Sequence, residues 1–315
     1  NDNAAATEKT ITVDTVAPEV TVSSNVASVA TGGTATISFT LSEASTDFVL
    51  NDVVVTGGTL GTWDANSAPT YTAVFTPEAD FVGAATITVP AAAFSDSAGN
   101  DNTSGAVSLA VNTVAPTVAI TSSATTLGSN DTAVISFVLS ADSVDFIEAD
   151  IAATGGTLSG FSGSGSTYSV IFTPTADSTT PGQISVAEDK FEDADGNKNL
   201  AGALATAITI DTVAPTTTIE SPSPASVGIG ETSTVTITLG KPSTDFAIGD
   251  IAVAGGTLSD FVAVSSTVYT VVFTPDADST TSGTINVPAG VFTDAAGNDN
   301  AAATEKTITV DTVAP

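Results

Sequence analysis

The chain has no cysteine, no histidine, no methionine and no arginine. Without cysteine there can be no disulfide, a staple that secreted modules often use. Without histidine or cysteine there is no imidazole base, no thiolate nucleophile and no histidine-rich zinc site, which removes most hydrolase designs. Bases are scarce as well: five lysines face 35 acids, for a formal net charge of -30. Such a chain has no basic patch with which to neutralise phosphate, so it repels nucleic acid and anionic lipid and attracts cations. Residues 19–116 contain no lysine, so a lysine-to-asparagine isopeptide staple is excluded there and metal is the staple that remains. No stretch approaches the ~20 apolar residues of a membrane helix, and no signal-peptide pattern opens the chain. Aromatics make up only 6% of residues, but 42% are hydrophobic and the mean hydropathy is positive, which is enough to bury a core.

What is present is repetition. Val13-Asp14-Thr15-Val16-Ala17-Pro18 returns as Val111 to Pro116, Ile210 to Pro215 and Val310 to Pro315, at spacings of 98, 99 and 100 residues. A period that long encloses its own core, unlike a solenoid rung. The expected organisation is a leading tail, 1–18, that closes a preceding repeat, followed by repeats 19–116, 117–215 and 216–315 in an elongated array. Residues 1–18 are identical to 298–315, from which an array continuing upstream is expected. The prolines of the linkers fix one backbone angle each, while the neighbouring bonds are expected to stay free to pivot.

Within a repeat the periodicity is that of strands. Apolar side chains alternate with Ser and Thr in Thr34 to Leu41, and the same pattern appears in Val134 to Leu139 and Val235 to Leu239. Further strands are read in residues 19–23, 52–56, 71–76, 84–89 and 108–111. Gly57-Gly58 and the Thr-Pro corner at Pro77, with their equivalents, supply turn chemistry. About seven short strands in ~100 residues, without a convincing helix, predict an all-β chain of three antiparallel Ig-like sandwiches.

The recurring Asp-Thr-Val-Ala-Pro junction, the Asp-Phe, Asp-Ile and Gly-Gly-Thr-Leu run of residues 145–158, the Tyr-x-Val-x-Phe-Thr-Pro strand of 269–275 and the Asp-x-x-Gly-Asn loop together resemble bacterial Ig-like repeats. In particular they are similar to the extender repeats of giant RTX-type adhesins exported by type I secretion, including ice-binding relatives. The resemblance covers essentially the whole chain. It implies calcium-binding spacers on the bacterial cell surface, holding a terminal ligand-binding region away from the cell.

Carboxylates carry the candidate chemistry. The loop after the sixth strand reads Asp96 to Asp101 in repeat one, Asp193 to Asn197 in repeat two and Asp294 to Asn298 in repeat three. Oxygen side chains on a glycine-hinged turn can converge on a hard cation, which takes six to eight oxygens. Sandwich topology places this loop and the second-to-third strand loop at the pole where the chain enters, so linker acids can join them. The predicted calcium ligands near the first pole are Asp14, Glu43, Asp96 and Asn100. At the first-to-second junction they are Asn112, Asp142, Asp193, Asp195 and Asn197, with Glu78 and Asp80 from repeat one. At the second-to-third junction they are Asp211, Asp294 and Asn298, with Asp177 from repeat two. Asp311 is the corresponding linker acid at the end of repeat three. Several Ca2+ ions are expected, mainly between repeats. Two departures predict unequal binding: Asn112 is neutral, and Lys241 occupies the place that corresponds to Glu43 and Asp142. The pairs Asp47/Asp52, Asp145/Asp150 and Asp245/Asp250 read either as strand-edge charges that deter sheet pairing or as metal ligands.

No catalysis is expected. Asp96-Ser97-Ala98-Gly99 reads as a chance likeness to an aspartic-protease triplet, and no aromatic sugar cleft accompanies the acids. Trp63, the one tryptophan, has no expected counterpart in repeats two and three and reads as a packing residue. The expected protein is an extracellular, monomeric, calcium-rigidified spacer whose partners are its own neighbouring repeats. The alternative is an adhesive module that itself contacts a glycan, ice or another surface.

Overall fold

A computed structural model describes residues 5–315. It is almost entirely β, with three Ig-like domains in tandem. The described chain divides into two compact units, and the division cuts through the second repeat. One unit comprises the residues up to Thr117 with Leu139–Phe146 and Glu188–Ala201; the other comprises Val118–Val138, Ile147–Ala187 and Gly202–Pro315.

The first unit contains the whole first sandwich. The alternation seen in the sequence becomes the strand Ala35–Leu41, whose Ile37, Phe39 and Leu41 point into the core while the residues between face outward. It pairs antiparallel with Val20–Ser24 on one side and Thr70–Pro77 on the other, setting Phe39 opposite Tyr71 and Ala35 opposite Phe75, and Gly58–Ser67 completes the sheet. The second sheet runs Ser28–Ala30, Gly105–Asn112, Val82–Val89, Val54–Thr56. Its outermost pair departs from the expected all-antiparallel pattern: Ser28–Ala30 runs parallel to Gly105–Asn112. This short strand crosses from one sheet to the other and so covers an edge that would otherwise stay open. Gly57 sits at φ 73°, and a methyl on Gly58 would lie 2.4 Å from the Thr76 carbonyl oxygen, so both positions require glycine.

The second unit holds the third sandwich, with sheets Thr217–Ile219, Ser233–Leu239, Val268–Pro275, Gly256–Ala263 and Ser226–Val227, Lys306–Val310, Gly283–Asn286, Ala252–Ala254. Here too the sheet-crossing strand, Ser226–Val227, is parallel to its partner. In the second repeat Ile151–Thr154, Gln183–Val186 and Gly202–Ala203 form one sheet, and Thr126–Leu127 pairs in parallel with Thr209–Ile210.

A one-turn 3-10 helix opens at residue 50, 148 and 248, where the sequence reading began a strand in repeat one. Its third residue explains one acid of each pair: Asp52, Asp150 and Asp250 accept the N–H three residues back at 2.8 to 2.9 Å. They are local caps on the turns that lead into the edge strands Val54–Thr56, Ile151–Thr154 and Ala252–Ala254. The other acid is a loop tie. Asp47 accepts from Ser45 Oγ and from the N–H and Oγ of Ser95, and Asp245 accepts from Ser243 and Thr293 in the same way. Asp145 likewise takes Ser143 Oγ and the Glu192 N–H. The hydroxyl and N–H donors hold Asp47 and Asp245 below the usual carboxylate range.

Candidate metal centre

Each entry pole is built on the glycine-hinged loop. Gly99, Gly196 and Gly297 adopt φ 89°, 88° and 78°, which folds the loop back on its own aspartate. Asp96 Oδ1 accepts the N–H groups of Ala98 and Asn100, each at 2.9 Å, while Oδ2 accepts Asn100 Nδ2 at 2.9 Å. Asp193 and Asp294 repeat this pattern with Asp195, Asn197 and with Ala296, Asn298. The aspartate is thus buried and fixed.

At the first pole the structure brings Asp14, Glu43 and Asp96 together, with one carboxylate oxygen from each lying within 4.8 Å of the others. Asn100 joins them, donating from Nδ2 to the Asp14 carbonyl at 3.3 Å. Partial burial and the facing Asp14 and Asp96 carboxylates push Glu43 above its ordinary range, whereas the amide donors of Asn100, side chain first, hold Asp96 below it. Three carboxylates held this close repel one another unless a cation lies among them, and their oxygens are the donor set that calcium takes. Among the described residues this is the one place where three acids meet so closely.

The second repeat's pole is different. Asn112 Nδ2 donates to Asp195 Oδ2 at 2.7 Å, and Asn197 Oδ1 accepts the Thr31 N–H at 2.9 Å. Asp142 does not take the place of Glu43. The loops align on Ser45, Ser143 and Ser243, whose hydroxyls each bond the aspartate two residues on, and counting back from them puts Ala141 and Lys241 at the Glu43 position. Asp142 falls one residue later and is exposed. Glu78, Asp80 and Asp177 are also exposed, on the turns after Thr70–Pro77 and Gly156–Pro174. Asp80 and Asp177 sit at φ 53° and 51°, a left-handed position that aspartate tolerates, so the turn itself explains them.

At the third pole Asp211, Asp294 and Asn298 come together around an ammonium. Lys241 Nζ lies 2.7 Å from Asp211 Oδ1, 2.8 Å from Asp294 Oδ2 and 2.5 Å from the Val213 carbonyl oxygen. Asn298 donates to the Asp211 carbonyl at 2.8 Å, and its Oδ1 accepts the Ser129 N–H at 2.7 Å. Burial alone would lower the Lys241 pKa, but the bonds to Asp211 and Asp294 outweigh it and raise it. Asp294 is depressed against its own burial by Lys241 and Asn298. Asp311 is exposed, its Oδ1 accepting the Val313 N–H at 3.4 Å.

Two further sets of residues act here without having been picked from the sequence. Thr113 Oγ1 donates to the Glu78 carbonyl at 2.7 Å and accepts the Phe81 N–H at 2.9 Å; Thr212 and Thr312 make the same two bonds to their own turns. On the other side, the carbonyls of Pro18, Pro116 and Pro215 accept N–H groups of Thr103, Leu200 and Ala301. The linker is therefore pinned to the repeat before it by threonine and to the repeat after it by proline's carbonyl. The second set is Asn102, Asn199 and Asn300, buried amides whose Oδ1 receives two N–H groups of the loop's other limb. The recurring Gly-Asn-x-Asn spacing was their signal. Trp63 proves to have counterparts: it stacks on Tyr71 with centroids 5.6 Å apart, as Phe161 does on Tyr168 at 5.6 Å and Phe261 on Tyr269 at 5.4 Å.

The sequence profile of the bacterial Ig-like domain matches residues 14–113, 112–210 and 211–310. The chain belongs to that family. Bacterial Ig-like domains thus account for nearly the whole chain, each match opening at or near its linker acid or amide. No curated protein matches the sequence significantly. Among solved structures it is similar to FdeC, an Escherichia coli adhesin, at 14% identity and a TM-score of 0.38, covering 93% of this chain and 96% of that one. It is similar to a three-domain I-band fragment of titin at 11% identity and 0.40, covering 96% and 100%. Invasin, a bacterial integrin-binding protein, is similar at 14% and 0.32, covering 92% of this chain and 59% of that one. No helix among the described residues is long and apolar enough to cross a membrane.

Proposed function

We propose that this chain is a calcium-stiffened spacer of a bacterial surface adhesin, exported as an RTX-type protein and acting as a monomer to hold a distal binding region away from the cell. The observation that carries the reading is the meeting of the linker carboxylate of Asp14 with Glu43 and Asp96 on the body of the repeat. An ion held there would tie linker to domain, and a tied linker is what a spacer needs. Binding restricted to the folded state raises the melting temperature by mass action.

Calorimetry with and without calcium tests this directly. The chain should melt higher in calcium than in chelator, and higher than in sodium chloride of equal ionic strength, because screening acts weakly on all charges alike. Asp96→Asn should remove one tightly bound ion and much of the increment. In X-ray scattering the maximum dimension should be larger in calcium than in chelator; equal values would remove the stiffening role. The adhesive-module reading requires a feature confined to one repeat. Trp63, the one candidate, recurs as Phe161 and Phe261 on the same tyrosine.

A further inference from the structure

Asp14, Glu43 and Asp96 have exact positional equivalents in the third repeat: Asp211 begins the same Asp-Thr-Val-Ala-Pro linker, Asp294 has the same N–H and amide donors as Asp96, and Lys241 stands two residues before the aligned serine, as Glu43 does. The acidic triad has become two acids and an ammonium. The ammonium has three donors, and its neighbours are all oxygens: Asp211, Asp294 and the Val213 carbonyl. Asp294 is nearly inaccessible, with 2% of its side chain exposed, so the contact reaches into the pole and is not a pair on its rim.

We propose that Lys241 is a tethered cation which occupies, in the third repeat, the position a divalent ion takes in the first, so that this linker is fastened without metal. The proposal rests on the calcium reading of the first pole. It also supplies that reading with a second observation, since the same aspartate positions in the same chain do hold a cation. The second repeat gives a third solution: Ala141 replaces the glutamate and the Asn112 amide bonds Asp195, so less charge needs neutralising. One pole thus depends on metal, one carries its own cation, and one has lost two of the three acids, with Asn112 and Ala141 standing at the positions of Asp14 and Glu43.

Hydrogen exchange on the full chain, read by peptide, separates these cases. On moving from calcium to chelator the amides of residues 96–100 should exchange faster by on the order of tenfold or more, while those of 294–298 should not change. An equal response in both loops would overturn the proposal. Terbium luminescence and calcium calorimetry on Lys241→Glu, which restores the acidic triad, should show one more ion bound than in the unaltered chain, and residues 294–298 should become sensitive to chelator. Lys241→Met should accelerate exchange at 294–298 in both conditions without adding a tight site. No added ion in Lys241→Glu would sink the idea that the position is interchangeable between ammonium and metal. Loss of the effect at 96–100 alone, with the Lys241→Glu site present, would instead sink the calcium reading of the first pole.

Discussion

Thr113, Thr212 and Thr312 bear a constraint that the sequence suggested belonged to proline. Proline fixes one angle of the linker, but the two hydrogen bonds of the threonine hydroxyl and the one to the proline carbonyl fix where the linker lies. Thr212→Val keeps the shape and deletes the hydroxyl, leaving the part-buried Ser178 N–H and the Thr175 carbonyl without that partner; it should cost about 1 kcal/mol in denaturant unfolding. Threonine is so common here that its role was invisible, whereas the aspartates stood out by recurring beside glycine and asparagine. The charge states at the first pole predict a pH response in chelator. Glu43 is raised, so its ionisation opposes folding above about 4.3, and stability should rise as pH falls toward that value. Asp96 and Asp47 are depressed, so the stability they contribute is present above about 3.9 and should be lost as pH falls below it. Glu43→Gln should remove the first of these limbs in a melting-temperature profile and leave the second.

The strands that alternate cleanly were legible, and those that do not were missed for identifiable reasons. Gly58–Ser67 is rich in small and polar residues, and its pairing with Thr70–Pro77 shifts register between Gly61 and Asp64, so no period of two survives along it. Ser28–Ala30 is too short for a pattern, and its parallel pairing is a tertiary fact. The poles show the same limit. Reading the loops without their register placed Asp142 against Glu43, and one residue of error exchanged an exposed side chain for the pole position. The readable strands do the packing: Phe75 is fully buried between the sheets, and Phe75→Ala should cost about 3–5 kcal/mol, measured by thermal or urea unfolding of the chain.

Taken as a tandem, the chain places near-identical folds in series while varying the charge at each entry pole, from three carboxylates to an amide to an ammonium. A net charge of -30 opposes the close approach of copies, so sedimentation should report a monomer in chelator and in calcium alike. Tandem order was legible because the linker motif repeats. The differing charge of the poles was only half legible: Lys241 stands out as a base among acids, but its bonds to Asp211 and Asp294 are tertiary facts.

The segment Lys9–Val13 has the same residues as Lys306–Val310. In the third repeat it is a central strand with Ile308 and Val310 buried; at the start of the chain it forms no strand, and Ile11 and Val13 are 81% and 77% exposed. Its conformation is therefore supplied by its neighbours and not by its own propensities. A synthetic peptide of this sequence should be random coil by circular dichroism. A third repeat shortened to end before Lys306 should offer a vacant groove between Ser226–Val227 and Gly283–Asn286 that the peptide can fill as a donated strand.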